Sequence, residues 1–138
     1  MIATTREEYA VKALIYIASK EIRKASISEI AEKNSISFAY ILRICSLLRQ
    51  HGILTSEKGR SGGYILKKDP STISLFDIIE AVGRKSVEIK CNYGAKHDTP
   101  CYQSECISMS AWNTIREKTD ELYKEIKLSD LIGSKNAT

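Results

Sequence analysis

Apolar residues recur along this chain with a period that changes from block to block, and the changes mark out its elements. Ile41, Ile44, Cys45 and Leu48 fall on one face at helical spacing. Ala39, Arg43, Ser46 and Gln50 lie opposite, a small and polar strip able to approach another surface closely. Ser37 is placed to cap this helix, which runs to about Gln50, and Gly52 stands where a left-handed terminus favours glycine. Upstream, Ser26 and Glu29 have the spacing of a capping box, residues 29–33 continue a short helix, and Asn34-Ser35 supplies turn chemistry. Downstream, residues 53–56 and 64–66 flank the glycine-rich stretch 57–63, which predicts a hairpin with a flexible, cationic tip. Residues 26–66 thus read as helix, tight turn, helix and hairpin.

The remaining pattern is arranged around that unit. Thr4 with Glu7, or Thr5 with Glu8, can cap a first helix through about Lys20, with Val11, Leu14, Ile15 and Ala18 as its apolar stripe. Glu8 falls in its first turn, where a negative charge suits the helix dipole. Ser74 with Asp77 opens a short helix from Leu75 to about Val82, stopped by Gly83. Regular pattern disappears between residues 84 and 103. Ser104 can then cap a long helix to about Lys127, along which Ser108, Trp112, Ile115, Thr119, Leu122 and Ile126 recur at alternating steps of four and three. That is an a/d seam, a ready element for a homodimer. A last short turn covering residues 128–132 is expected to dock back on the body.

The fold class expected is mainly α with a small β wing. Residues 1–83 form a winged helix-turn-helix, 84–106 a cysteine-containing loop, 104–132 a dimerisation helix with its closing turn, and 133–138 a polar tail.

Charge sharpens the reading. Of 138 residues, 43% are hydrophobic, enough for one domain with a real core. The whole chain carries a formal net charge of +4. Residues 36–70 hold six Lys/Arg against two acids, so the entire excess sits on the helix–hairpin unit. A confined excess of this kind favours double-stranded DNA over a generally basic surface. Ser37, Ala39, Tyr40 and Arg43 would approach base edges or phosphates, while Lys58 and Arg60 would enter the minor groove or clamp the backbone. No apolar run approaches the ~20 residues of a membrane span and no signal-peptide pattern is present, so a cytoplasmic protein with reduced thiols is expected. No nucleophile–base pair is evident, and Gly59-x-x-Gly62-Gly63 lacks the context of a nucleotide-binding loop, so an enzyme is not expected.

Three of the four cysteines ask for a function. Cys91, Cys101 and Cys106 are separated by nine and four residues in an irregular, polar stretch. Cys106 would begin the long helix, where the dipole favours the thiolate that binds metals or reacts with oxidants. Zinc usually takes closely paired cysteines, and here only the short gap fits. An iron–sulfur cluster, [2Fe–2S] or [4Fe–4S], held by three thiolates and one further ligand tolerates the long gap better, with thiol redox switching as the other reading. His97 is a candidate fourth ligand. Cys45 lies on the packing face of its helix and reads as a buried hydrophobe.

Taken together, these residues resemble a known family. Residues 9–14 (Tyr-Ala-Val-Lys-Ala-Leu), Ile30-Ala31, Ile36-Ser37 with Tyr40-Ile41, and Gly62-Gly63-Tyr64 look like the IscR/NsrR/CymR-type (Rrf-two) regulators. Residues 73–82 and the closing stretch 128–131 match as well, so the resemblance covers nearly the whole chain. It implies a dimeric winged-helix transcription factor reading a two-fold DNA site. Cluster-bearing members carry three loop cysteines that match Cys91, Cys101 and Cys106. Where IscR-like members place a histidine ligand, this chain has Met109. NsrR-like and RsrR-like members use a carboxylate from the partner subunit at the position of Glu8, which implies Glu8 as fourth ligand ahead of His97. Leu42 replaces a glutamate that filters DNA sequences in IscR-like members, which implies a different target preference. A CymR-like regulator without a cluster, controlled by cysteine oxidation or a partner protein, is the alternative.

Overall fold

In the computed structural model, residues 5–60, 62–83, 87 and 107–133 are described. Capping chemistry starts three of the helices where the sequence predicts, while the candidate caps Thr4 and Ser104 lie outside the described residues. Helix α2 (Ile27–Asn34) opens with Ser26 Oγ accepting the Glu29 N–H at 3.1 Å, while the Glu29 carboxylate accepts the Ser26 N–H at 2.8 Å. Lys20 also donates to Glu29 at 2.6 Å, and this contact, with the Ser26 N–H, holds the Glu29 carboxyl below the usual carboxylate range. The helix ends at Ser35, whose left-handed backbone (φ 54) turns the chain into α3 (Phe38–Gln50). Helix α4 (Leu75–Ala81) has the second capping box, Ser74 with Asp77.

Helix α1 (Thr5–Ser19) forms as expected, but its buried face is rotated. Ala10, Ala13, Leu14 and Ile17 are fully buried, whereas Val11, Ile15 and Ala18 are half-buried at the margin of the core. Between residues 9 and 18 only Lys12 is charged, so the periodicity admits two adjacent stripes. Packing selects the stripe with two alanines, whose small side chains let α2 and α3 come close.

The sheet has three antiparallel strands in the order β1 (Lys24–Ala25), β3 (Gly63–Leu66), β2 (Leu54–Glu57). Leu54 faces Leu66 and Glu57 faces Gly63 across the hairpin, while Lys24 and Ala25 pair with Ile65 and Tyr64. Strand β1 is an addition to the predicted hairpin. Gly63 makes it possible: a Cβ there would lie 2.6 Å from the Ala25 carbonyl oxygen, closer than any side chain allows. A salt bridge between Lys24 and Glu57 ties the two outer strands together.

One core joins these elements, with Leu14, Ile17, Ile30, Ile41, Ile44, Leu48, Leu54, Ile73, Ile78 and Leu128 at its centre. Cys45 lies in it at 0% exposure, and desolvation pushes its thiol up to about 12. A 3-10 turn at Pro70–Thr72 leads into α4. Its cap, Asp69, accepts from Ser71 and from Arg23, which holds its carboxyl down at about 2.

Helix α5 (Ile107–Glu125) is fastened to this body at its C-terminal end. The Leu75 N–H donates to the Ile126 carbonyl at 2.8 Å, the Leu128 N–H donates to the Ile73 carbonyl at 2.9 Å, and the Lys124 ammonium sits 4.8 Å from the Phe76 ring centre. Helix α6 (Leu128–Gly133) then docks Leu128 into the core and packs against α1, as the closing turn predicts. Among the described residues, no helix is long and apolar enough to cross a membrane.

Candidate nucleic-acid interface

The interface is built on α3. Its inner face, Ile41, Ile44, Cys45 and Leu48, is buried and fixes the helix in roll. Consequently the opposite strip must point outward. Ala39, Arg43, Ser46 and Gln50 line an open cleft of about 520 Å³ together with Leu42, Leu47, Arg49 and Tyr64. Tyr64 belongs to β3, so the cleft lies in the angle between α3 and the wing. Arg49 donates to Ser56 Oγ on β2 at 3.4 Å and closes one end of that angle. Beyond it the hairpin carries Lys58 and Arg60, both exposed, around a tip turned by Gly59 (φ 108) and a Gly62 N–H bond to the Gly59 carbonyl.

The geometry suits a duplex. A helix held by one face presents the other to the major groove, and a slim cationic hairpin beside it reaches the backbone or the adjacent groove. Nothing acidic lines the cleft, while Arg43 and Arg49 do. The field there attracts phosphate.

The residues named from sequence occupy distinct places. Ala39 and Arg43 line the cleft, and Ser37 is exposed at the mouth of α3, its Oγ accepting the Tyr40 N–H at 3.3 Å. Tyr40 is half-buried outside the cleft lining, with its ring edge-on to Tyr9 of α1 at 5.3 Å between centroids. Lys58 and Arg60 stand on the wing. Glu8 is exposed in the first turn of α1. Cys91, His97, Cys101 and Cys106 lie outside the described residues. Among the described residues no group of three His, Cys, Asp or Glu side chains could hold a metal ion. The strip reading did not include Leu42, Leu47, Arg49 and Tyr64. The first three sit on rows of the helix flanking the strip, and a wider arc would have included them. Tyr64 had no such signal, because only the fold of the wing brings it to the helix.

A family model described as an iron-dependent transcriptional regulator, Rrf2, matches residues 3–134. The chain belongs to the Rrf2 family. Among curated relatives, the HTH-type transcriptional regulator IscR of Klebsiella pneumoniae (strain 342) is 28% identical over 133 residues, covering 95% of this chain and 79% of that protein. Among solved structures, CymR, described as the global cysteine regulator of B. subtilis, matches with a TM-score of 0.78 at 25% identity, covering 97% of this chain and 98% of that one. T. potens IscR matches with a TM-score of 0.72 at 26% identity over 100% of this chain and 89% of that one. This Rrf2 member is therefore a winged-helix transcriptional regulator of the IscR/CymR kind and not an enzyme.

Proposed function

We propose that the chain works in the cytoplasm as a homodimer that reads a two-fold symmetric DNA site, with one α3 in each of two successive major grooves. The observation that carries this reading is the open strip of α3, polar and cationic on a helix whose other face is wholly core. Ala39 and Arg43 would meet base edges or phosphates, and Ser37 and Tyr40 would flank them at the start of the helix. Lys58 and Arg60 would hold the backbone from the wing. Trp112, Ile115 and Leu122 of α5 are 48%, 44% and 53% exposed along the predicted seam, which supports a second copy packing there.

For the signal, we infer an iron–sulfur cluster held by Cys91, Cys101, Cys106 and Glu8 of the partner subunit. The donor set fits: three thiolates suit iron, and one harder carboxylate makes a labile fourth site. The Glu8 side chain is exposed and makes no hydrogen bond or ion pair among the described residues, so it is free to serve. When bound, such a cluster supplies one-electron chemistry and reactivity toward oxygen or nitric oxide. Within the chain, Glu8 precedes Tyr9, whose ring meets Tyr40 of α3, so Tyr9 is the link by which a change at Glu8 would reach the recognition helix. The likeness to CymR favours a second reading, in which the same cysteines act by oxidation without a cluster.

An absorbance spectrum of protein purified without oxygen, with iron and sulfide assayed on the same sample, separates the two. Visible charge-transfer bands with matching iron and sulfide are expected. A protein that stays colourless after reconstitution gives the signal to the cysteines alone.

A further inference from the structure

The recognition face has an apolar flank that charge does not explain. Phe38 and Leu42 are 53% and 43% exposed on the first two turns of α3. They are four residues apart and so stand on one row of the helix. Neither is needed inside, because Ile41, Ile44, Cys45 and Leu48 already fill the inner face. Ala39 is exposed beside them, and Leu42 shares the cleft wall with Arg43. The leading turns of the helix therefore offer methyl, methylene and ring carbon where a base-reading helix more often offers amides and hydroxyls.

Whatever covers this flank must be apolar at that spot yet anionic beside it, because Arg43 and Arg49 line the same cleft as Leu42 and no acidic residue does. In a duplex, the N-terminal residues of a recognition helix are the ones that meet base edges. Those edges are hydrogen-bonding groups in the major groove with one exception, the C5-methyl group of thymine. Resting on the DNA-binding reading above, we propose that Phe38 and Leu42 are specificity residues that read thymine methyl groups, so that each half-site carries thymine beneath the first turns of α3. The arginines supply attraction without choosing the base at those positions. The flank chooses it by burying a methyl that cytosine and the purines lack.

The test uses full-length protein purified without oxygen. Tight sites are selected from a random duplex library, each thymine of a selected half-site is replaced by deoxyuridine, and affinity is measured by fluorescence anisotropy. Deoxyuridine removes only the methyl group. At one or two positions per half-site it should weaken binding about fourfold, the worth of burying one methylene-sized group. Leu42→Ala or Phe38→Ala should weaken the thymine site and erase its advantage over the uracil site, the coupling expected of groups in contact. Both residues are exposed, so the circular dichroism spectrum and Tm should be unchanged. Selected sites that bind equally well with uracil at every position overturn the thymine reading and leave DNA recognition standing. Variants that weaken thymine and uracil sites by the same factor also overturn it, pointing to a protein partner or a second copy on this flank. Failure to select any sequence, with no salt-dependent binding, overturns both readings.

Discussion

Helices α3 and α5 carry the same kind of pattern and meet opposite fates. Each places large apolar residues at steps of three and four. In α3 they are covered: Ile41 and Leu48 are 0% exposed, with α1 and α2 packed over them. In α5, Trp112, Ile115 and Leu122 remain about half exposed, and the helix is tied to the body at its C-terminal end by main-chain bonds and by Phe76. Periodicity says that a face wants covering; it does not say by what. The first helix is stabilised by its own chain and is therefore free to offer its outer strip to a ligand. The second has apolar surface left over, which is the property of an interface.

That contrast can be broken from either side. The largest effect is expected inside α3. Leu48→Ala should cost about 2–5 kcal/mol of stability by urea unfolding, because the cavity is enclosed on every side. A cost below about 1 kcal/mol would mean that the core under α3 is looser than its burial implies. In α5, Leu122→Asp should leave the helix content intact but convert a dimer to a monomer in sedimentation. DNA affinity should fall at least about tenfold, the loss expected when a central interface side chain goes. A variant that remains dimeric would place the interface elsewhere.

The smallest effect concerns Cys45 and sharpens the contrast chemically. Burial raises its thiol to about 12 from an ordinary value of 9.0, so the protonated form favours the folded state. Its contribution is full below pH 9 and is lost as pH rises from 9 toward 12, by roughly 1 kcal/mol at pH 10. Unfolding curves of the wild type should therefore decline over that window, and those of Cys45→Ala should decline less, the remainder including the Lys20–Glu29 pair as Lys20 deprotonates. Alkylation at pH 8 should spare Cys45 until the chain is unfolded.

Much of the scaffold was legible because its signals are local. A capping box needs only Ser26 and Glu29, or Ser74 and Asp77, three residues apart, and both formed as read. The inner face of α3, the hairpin and the docking of Leu128 were equally plain. Two features were not. The buried stripe of α1 was misjudged, since an almost uniformly apolar helix does not announce which side faces in. Strand β1 was missed, since two residues have no period, and Lys24-Ala25 becomes a strand only through Gly63 and Tyr64, some forty residues away.

The sequence by itself determined where α2, α3 and α4 begin, which side of α3 is core, and that the cationic excess sits on α3 and the wing. These follow from short-range hydrogen bonds and from the fixed angle between successive residues in a helix. Only the tertiary structure decided that Tyr64 closes the cleft against α3, that Tyr9 touches Tyr40, and that Phe38 and Leu42 stay uncovered. Those depend on which distant segments pack together, and burial is a property of the packed chain rather than of any residue in it.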